Sequence, residues 1–298
     1  MRALNSWLKA VRADGLVLAR TRVAGPWGFS AQRRNAMVFH FVAEGRAFVR
    51  QPHAQTIALE AGELVLFPRG VEHELVHSPR GKAIQLDSFL ARRDGVVDSG
   101  PRAVTLICGE FKVDHHLALP ALRALPQAVL LRVGTKPESA ALSDTLRMLR
   151  DELETPNFGN QIVVRNLLSS LFIYAMRAWA DAASPTAKDW FAALRSTHIS
   201  RALARIHEAP ERAWTLEDLA GEAGLSRAAF ARNFTASVGE PPHSYLTRWR
   251  IGIAAQLLET TDFRLGEIAS RVGYSSEFSF SRAFKSARGV SPIQYRRS

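Results

Sequence analysis

Apolar positions along the chain change period once, and the change divides the molecule. From 38 to 85 they come in short runs, at 37–42, 46–50, 56–59, 63–68 and 83–86, cut by turn residues. A spacing of about ten residues with Gly and Pro between the runs predicts an antiparallel sandwich or barrel. From 136 the period becomes helical. Leu142, Leu146, Leu149 and Leu153 recur at three and four, and Val163, Leu167, Leu168, Leu171, Phe172 and Ala175 repeat the pattern. Two amphipathic helices after a small barrel need a partner for their apolar faces, either their own barrel or a second subunit. The stretch 182–188, small, polar and broken by Pro185, is the best linker. Everything after it reads as helix. The expected fold class is α+β: a barrel over 1–135, a helical segment over 136–183 that could dimerise, and an all-α domain over 184–298.

An internal repeat organises that last domain. Leu216-Glu-Asp-Leu-Ala-Gly-Glu-Ala-Gly-Leu-Ser226 returns 49 residues later as Leu265-Gly-Glu-Ile-Ala-Ser-Arg-Val-Gly-Tyr-Ser275. After a one-residue insertion Phe230, Arg232, Phe234, Gly239 and Pro242 match Phe280, Arg282, Phe284, Gly289 and Pro292. Each copy predicts helix, tight turn, helix. Thr215 with Asp218 makes a capping box, Gly224 supplies a left-handed stop, and Ser226 caps the next helix. In the second copy Gly273 is the stop and Ser275 or Ser276 the cap. No Ser or Thr precedes Leu265, and Gly266 weakens the helix that starts there. The span 243–258 reads as a longer helix separating two helix-turn-helix units.

The phenylalanine pairs, at i and i+4, must face the core. That turns Arg227, Ala228, Ala231 and Arg232 outward in the first unit, and Ser276, Glu277, Phe278, Ser279, Ser281, Arg282 and Lys285 outward or flanking in the second. An exposed helix with Arg among small residues fits a DNA major groove, where Arg binds guanine O6 and N7 bidentately for ~1–3 kcal/mol of discrimination. Two such helices on a rigid spacer suit successive grooves about 34 Å apart. Glu277 either accepts from cytosine N4 or favours its helix N-terminus electrostatically. Lys285 reads most simply as a phosphate contact.

Composition narrows the classes. The 298 residues carry 39 Lys+Arg against 28 Asp+Glu, a formal charge of +11. The excess is spread along the chain, yet 226–298 alone holds 11 basic and 5 acidic residues, which fits a polyanionic partner. With 47% hydrophobic residues the chain can bury cores, so disordered classes drop out. Cys108 is alone, which excludes a disulfide framework. The start meets charge too soon for a signal peptide, and 161–180 is interrupted by Arg165, Asn166 and Arg177. These features predict a cytoplasmic protein with no membrane partner.

The repeat resembles the AraC/XylS family of bacterial transcription regulators over about 199–297. Ala220…Gly224-Leu-Ser226 and Ile268-Ala…Val272-Gly-Tyr-Ser-Ser-Glu-Phe-Ser-Phe-Ser-Arg-Ala-Phe-Lys285…Gly289…Ser-Pro292…Tyr295-Arg296 look like its signature. The resemblance implies base-reading positions at Ala228, Ala231 and Arg232, and at Glu277, Phe278, Ser279, Ser281 and Arg282, on double-stranded promoter DNA, with RNA polymerase as partner. Ala228 and Ala231 depart from it by lacking hydrogen-bonding groups, so the first helix reads a thymine methyl or little beyond what Arg232 supplies.

Gly62-Glu-Leu-Val-Leu-Phe-Pro68-Arg-Gly70-Val-Glu-His73 has the spacing of the second cupin motif and resembles a cupin barrel. The first motif is degraded, with Val42 where a second His is usual. Together with His40 and Leu106-Ile-Cys108-Gly109, the pattern resembles the cupin-type sensor of one AraC subgroup. That resemblance implies a small-molecule, metal or redox effector. His40, His73 and Cys108 could form three corners of a tetrahedral zinc or other divalent-metal site, or be structural. Trp27, Phe39, Phe48 and Phe67 could line a pocket, with core packing the better reading. His115 and His116 read as loop or surface residues. The expected function is an effector-controlled, sequence-specific transcription regulator that could act as an activator and could form a homodimer, with the choice between activator and repressor left open by the sequence. The alternative is a metal-dependent cupin enzyme with an accessory helical domain.

Overall fold

A computed structural model of the chain describes residues 2–11, 13–91, 103–114, 117–118, 122, 125–132, 140–182, 193 and 197–297. His115, His116 and the linker beyond Ala182 lie outside the described residues. The chain forms two compact units, one of Ala13–Val113 with Leu125–Ala183, the other of Met1–Arg12, Asp114–Ala124 and Ser184–Ser298.

In the first unit, strands β1 (Asp14–Val23), β2 (Gly28–Ala31), β3 (Met37–Glu44), β4 (Arg46–Arg50), β5 (Ile57–Glu60), β6 (Glu63–Phe67), β7 (His73–Val76), β8 (Ile84–Gln85), β9 (Val104–Lys112) and β10 (Val129–Arg132) form two five-stranded sheets. Their orders are β1-β9-β3-β6-β10 and β5-β4-β7-β2-β8. The result is a cupin-like sandwich and not a closed barrel. The last expected run shrinks to the two residues of β8, because Leu86 opens a short helix, α2 (Leu86–Ala91).

Alternation along each strand places the core. Val38, Val42, Val65, Phe67 and Leu106 of the first sheet meet Phe29, Val49, Leu59 and Leu75 of the second. Phe39 and Phe111 point the other way, where Phe111 meets Phe172 at 5.5 Å between ring centroids. Phe172 belongs to α4 (Asn160–Ala182), which pairs with α3 (Ala140–Glu154). A Cβ on Gly15 would lie 2.5 Å from Leu168 Cβ, so glycine lets α4 approach β1. The apolar stripe Leu142, Leu146, Leu149, Leu168, Leu171 and Phe172 is thus buried within this unit. Among the described residues Met148, Phe158, Ile162 and Val163 of the α3–α4 hairpin stay exposed.

The second unit is helical: α1 (Arg2–Val11), α5 (Thr197–Glu208), α6 (Leu216–Ala223), α7 (Arg227–Val238), α8 (Pro242–Thr260), α9 (Leu265–Arg271), α10 (Glu277–Arg288) and α11 (Pro292–Arg296). Phe230, Phe234, Phe280 and Phe284 are fully buried, as the four-residue spacing requires. No described helix is long and apolar enough to cross a membrane.

Candidate functional site

Two surfaces carry candidate chemistry. The first is built by the repeat. Thr215 Oγ1 accepts from Asp218 N–H at 3.0 Å while Thr215 N–H donates to Asp218 Oδ2 at 3.0 Å, and this capping box starts α6. Gly224 ends it at φ 65°, and Ser226 Oγ accepts from Ala229 N–H to start α7. In the second unit Gly273 turns the chain at φ 83°, and Ser276 Oγ accepts from Ser279 N–H at 3.2 Å to start α10. Ser276 is therefore the cap of α10. The end of α9 nearer the chain start has Arg264 at its cap position, with no side-chain bond.

With the phenylalanines buried, Arg227, Ala228 and Arg232 of α7 are exposed and Ala231 is half-buried. On α10, Glu277, Arg282 and Lys285 are exposed, Ser279 and Ser281 are half-buried, and Phe278 is 77% exposed. An apolar ring held that far into water gains little from folding. The Glu277 carboxylate oxygen sits 3.5 Å from where a Gly266 Cβ would be, beside the first turn of α9. It therefore faces the starts of two helices.

The arginines divide by use. Arg205 pairs with Glu222 at 3.0 Å, Arg271 with Glu267 at 3.0 Å, Arg248 with Glu240 at 2.7 Å and Arg288 with Asp114 at 2.7 Å. Arg250 and Arg296 donate to the carbonyls of Pro210 and Phe263. By contrast Arg227, Arg232, Arg282 and Lys285 hold no hydrogen bond or ion pair among the described residues.

The second surface is the interior of the sandwich. His40 on β3 stands opposite Cys108 on β9, and His73 reaches them from β7 of the facing sheet. His40 Nδ1 lies 2.9 Å from Cys108 Sγ, His40 Nε2 lies 2.7 Å from His73 Nε2, and His73 Nδ1 lies 2.7 Å from the Val71 carbonyl. Burial pushes both imidazoles below their ordinary range, His73 to about 4, and pushes the Cys108 thiol up to about 12. All three are thus neutral, which fixes their protons. The Val71 carbonyl accepts from His73 Nδ1–H, His73 Nε2 accepts from His40 Nε2–H, and His40 Nδ1 accepts from the Cys108 S–H.

This hydrogen-bonded row does not fit the metal expected at His40, His73 and Cys108. Cys108 and His73 lie on opposite edges of the His40 ring, so the three donors do not converge. Two nitrogens on one tetrahedral ion stand about 3.3 Å apart, given metal–nitrogen bonds of about 2.0–2.1 Å. Among the described residues no group of three or more His, Cys, Asp or Glu is arranged to hold a metal. A neutral, buried thiol is also a poor nucleophile toward oxidants.

Beside this row opens a recess lined by Leu18, Thr21, Phe29, Val38, Leu86, Phe89, Leu90 and Leu106, with His40, Cys108 and Arg34 as polar members. Its cavity volume is about 20 Å³, the size of a single water site. Arg34 pairs with the largely buried Glu110 at 3.3 Å. Sequence reasoning missed Arg34 and the α2 residues. The available signal is the spacing of Leu86, Phe89 and Leu90, which suits a helix and not the strand expected there. Trp27, Phe39 and Phe67 are buried core residues and do not line the recess.

A cupin family model matches residues 2–181, and a helix-turn-helix domain model matches 219–298. The chain is 32% identical over 286 residues to the HTH-type transcriptional regulator AlkR of Acinetobacter baylyi, covering 92% of each protein. It is 30% identical over 295 residues to a putative AraC-like transcription regulator of Streptomyces antibioticus, covering 95% of this chain and 97% of that one. The DNA-binding domain of AdpA, solved with a target DNA, is 32% identical over 34% of this chain and 92% of that chain, with a TM-score of 0.33. The chain therefore belongs to the AraC-type transcriptional regulators, with a cupin domain before its helix-turn-helix DNA-binding domain.

Proposed function

We propose that the outward faces of α7 and α10 are the two base-reading surfaces. The observation that carries this is that Arg227, Arg232, Arg282 and Lys285, on the outward faces of these two helices, have no side-chain partner among the described residues, while Arg205, Arg248, Arg271 and Arg288 of the same unit are paired. Arg232 and Arg282, at equivalent repeat positions, read guanine edges, while Arg227 and Lys285 neutralise phosphates. Glu277, Ser279 and Ser281 supply further base contacts, and Phe278 meets a thymine methyl. Ala228 and Ala231 leave room for close approach. Ser276 holds the helix that presents these groups.

The sandwich recess is the place where an effector would enter; at about 20 Å³ it admits one only when its lining side chains move apart, and its apolar walls then favour an uncharged or weakly polar small molecule. The protein acts by binding promoter DNA and engaging RNA polymerase in the cytoplasm, and carries out no catalysis. The neutral His40–His73–Cys108 row offers no paired acid and base to support an enzyme reading. The exposed Met148, Phe158, Ile162 and Val163 support a homodimer through 136–183, and a monomer in sedimentation at working concentration removes that part.

The test is selection from a random duplex pool with the full chain at several salt concentrations. Recovery of a bipartite sequence, bound with an affinity that falls as salt rises, is the expected result. Retention without sequence preference at every salt concentration overturns the reading.

A further inference from the structure

The second unit contains residues that come early in the chain. Asp114 follows β9 by two residues, yet it packs with the C-terminal helices. Its Oδ2 accepts from Arg288 Nη2 at 2.7 Å, with the two side chains only 14% and 8% exposed. Its Oδ1 accepts from Leu117 N–H at 3.1 Å, and its carbonyl accepts from Ala118 N–H at 2.8 Å. The strap is anchored in turn. Leu117 is buried against α8, where a Cβ on Gly252 would lie 2.3 Å from its side chain, and its carbonyl accepts from Trp7 Nε1 at 3.1 Å. A glycine in mid-helix weakens α8 relative to Ala, and the seating of Leu117 explains its presence.

Arg288 is the last residue of α10. Its guanidinium stands 5.6 Å from the Tyr295 ring centroid, and the Tyr295 hydroxyl donates to Glu259 Oε1 at 2.8 Å. Among the described residues Arg288 Nε is buried without a hydrogen-bond partner, and Asp114 is the one carboxylate paired with that guanidinium. Among the described residues the first recognition helix has no such pair on its last residue, Val238. α7 ends on Val238 and closes through Gly239 N–H to the Thr235 carbonyl alone.

We propose that Asp114 is a positioning residue for the second recognition helix, holding the end of α10 so that its outward face meets DNA in a fixed register. The assignment rests on the base-reading surfaces proposed above. It also gives the sensor a route to the DNA. β9 lines the recess through Cys108 and Gly109 and runs on within the same strand to Lys112, two residues before Asp114.

The experiment uses the full chain on the selected duplex and on copies substituted in one half at a time. Arg282→Ala identifies the half that α10 reads. Asp114→Asn, which keeps shape and removes charge, is expected to weaken binding by roughly tenfold and to flatten discrimination in the α10 half only. Asp114→Glu, which keeps the carboxylate, recovers most of that discrimination. A folded Asp114→Asn protein that discriminates in both halves like wild type, or loses both equally, overturns the assignment. Should Asp114→Asn fail to fold, Asp114→Leu with Arg288→Met leaves no buried charge and is read by the same two outcomes. Failure of wild type to select any sequence sinks the DNA-reading surfaces themselves, which separates that failure from this one.

Discussion

The two helix-turn-helix units share one plan and differ in how it is secured. The first closes on itself. It has a complete capping box at Thr215 and Asp218, a left-handed Gly224 whose Cβ would meet nothing nearer than 3.9 Å, and, among the described residues, no ion pair on Val238, the last residue of its recognition helix. The second borrows support: Arg264 caps nothing, Gly273 is wedged against Glu211 and Arg250, and α10 is held through Arg288 by Asp114. The second unit also carries the richer outward chemistry, with Glu277, Phe278, Ser279, Ser281 and Arg282 against Arg227, Ala228, Ala229, Ala231 and Arg232 at the matching positions of the first. A repeat thus keeps its core and its turn while the support and the reading surface diverge, because only the core is fixed by packing density.

The largest expected effect breaks the likeness at the turn glycines. A Cβ on Gly273 would lie 2.6 Å from the Glu211 carbonyl oxygen and from Arg250 Nη2, at φ 83°. On Gly224 the nearest atom would be 3.9 Å away. Gly224→Ala adds only left-handed strain, about 1 kcal/mol, while Gly273→Ala adds a backbone clash and should cost about 3 kcal/mol. Denaturant unfolding of the two variants measures the difference, and equal losses would show that Gly273 is not confined by its neighbours.

Acid should separate the units next. His207 on α5 is buried, stacks on Trp249 at 3.8 Å and sits 2.7 Å from the Tyr245 hydroxyl, beneath the first unit, where Phe234 also packs on Tyr245. Burial pushes His207 down to about 3. The unfolded chain, at the ordinary imidazole value, binds this proton first, so stability is complete above pH ~6.5 and falls as pH drops toward 3. The slope is at most about 1.4 kcal/mol per pH unit, or roughly 2 kcal/mol by pH 5. The core under the second unit, Ile251, Leu258, Ile268, Phe280 and Phe284, contains no histidine. Hydrogen exchange at pH 5 should therefore lose protection in α7 before α10, and replacing His207 with Gln should remove the difference.

These contrasts show what sequence could convey. The repeat, the i,i+4 phenylalanines and the Thr215 cap are local signals, each settled within a few residues, and the recognition faces follow from them. The ring of contacts around Asp114 joins positions 174 residues apart and leaves no periodicity to read. The same holds for α1, whose Ala3, Trp7 and Val11 spacing shows a helix without showing what it covers. His40, His73 and Cys108 are legible as neighbours, but their line-up depends on register. His40 and Cys108 stand side by side on paired strands while His73 crosses from the other sheet, which makes a row of donors where convergence was expected.

On DNA the comparison predicts unequal halves. Arg282→Ala should cost about 2 kcal/mol on the selected duplex and little on random DNA. The α10 half should retain some discrimination through Glu277, Ser279 and Phe278. Arg232→Ala should leave the α7 half with almost none, since Ala228 and Ala231 offer no hydrogen bond. Equal losses on specific and random duplexes would reduce either arginine to a phosphate contact.

The smallest effect concerns Arg264, and it splits stability from binding. Arg264 has extended cap geometry, φ −64° and ψ 152°, and Glu267 stands at the third helical position. Arg264→Ser would complete the capping box that the first unit already has, with the new hydroxyl accepting from Glu267 N–H and the Glu267 carboxylate accepting from the cap N–H. The gain should be about 0.5–1 kcal/mol in unfolding free energy. The side chain removed is an exposed cation with no ion pair among the described residues, at the start of the second helix-turn-helix unit. If it rests on a phosphate, the same variant lowers affinity for all duplexes alike and reduces the salt slope by about 1. A more stable protein that binds less tightly would mean that the second unit gave up its cap for a DNA contact. A more stable protein with unchanged binding would mean that the missing cap does nothing for DNA, leaving the strap at Asp114 as the feature that sets the second unit apart.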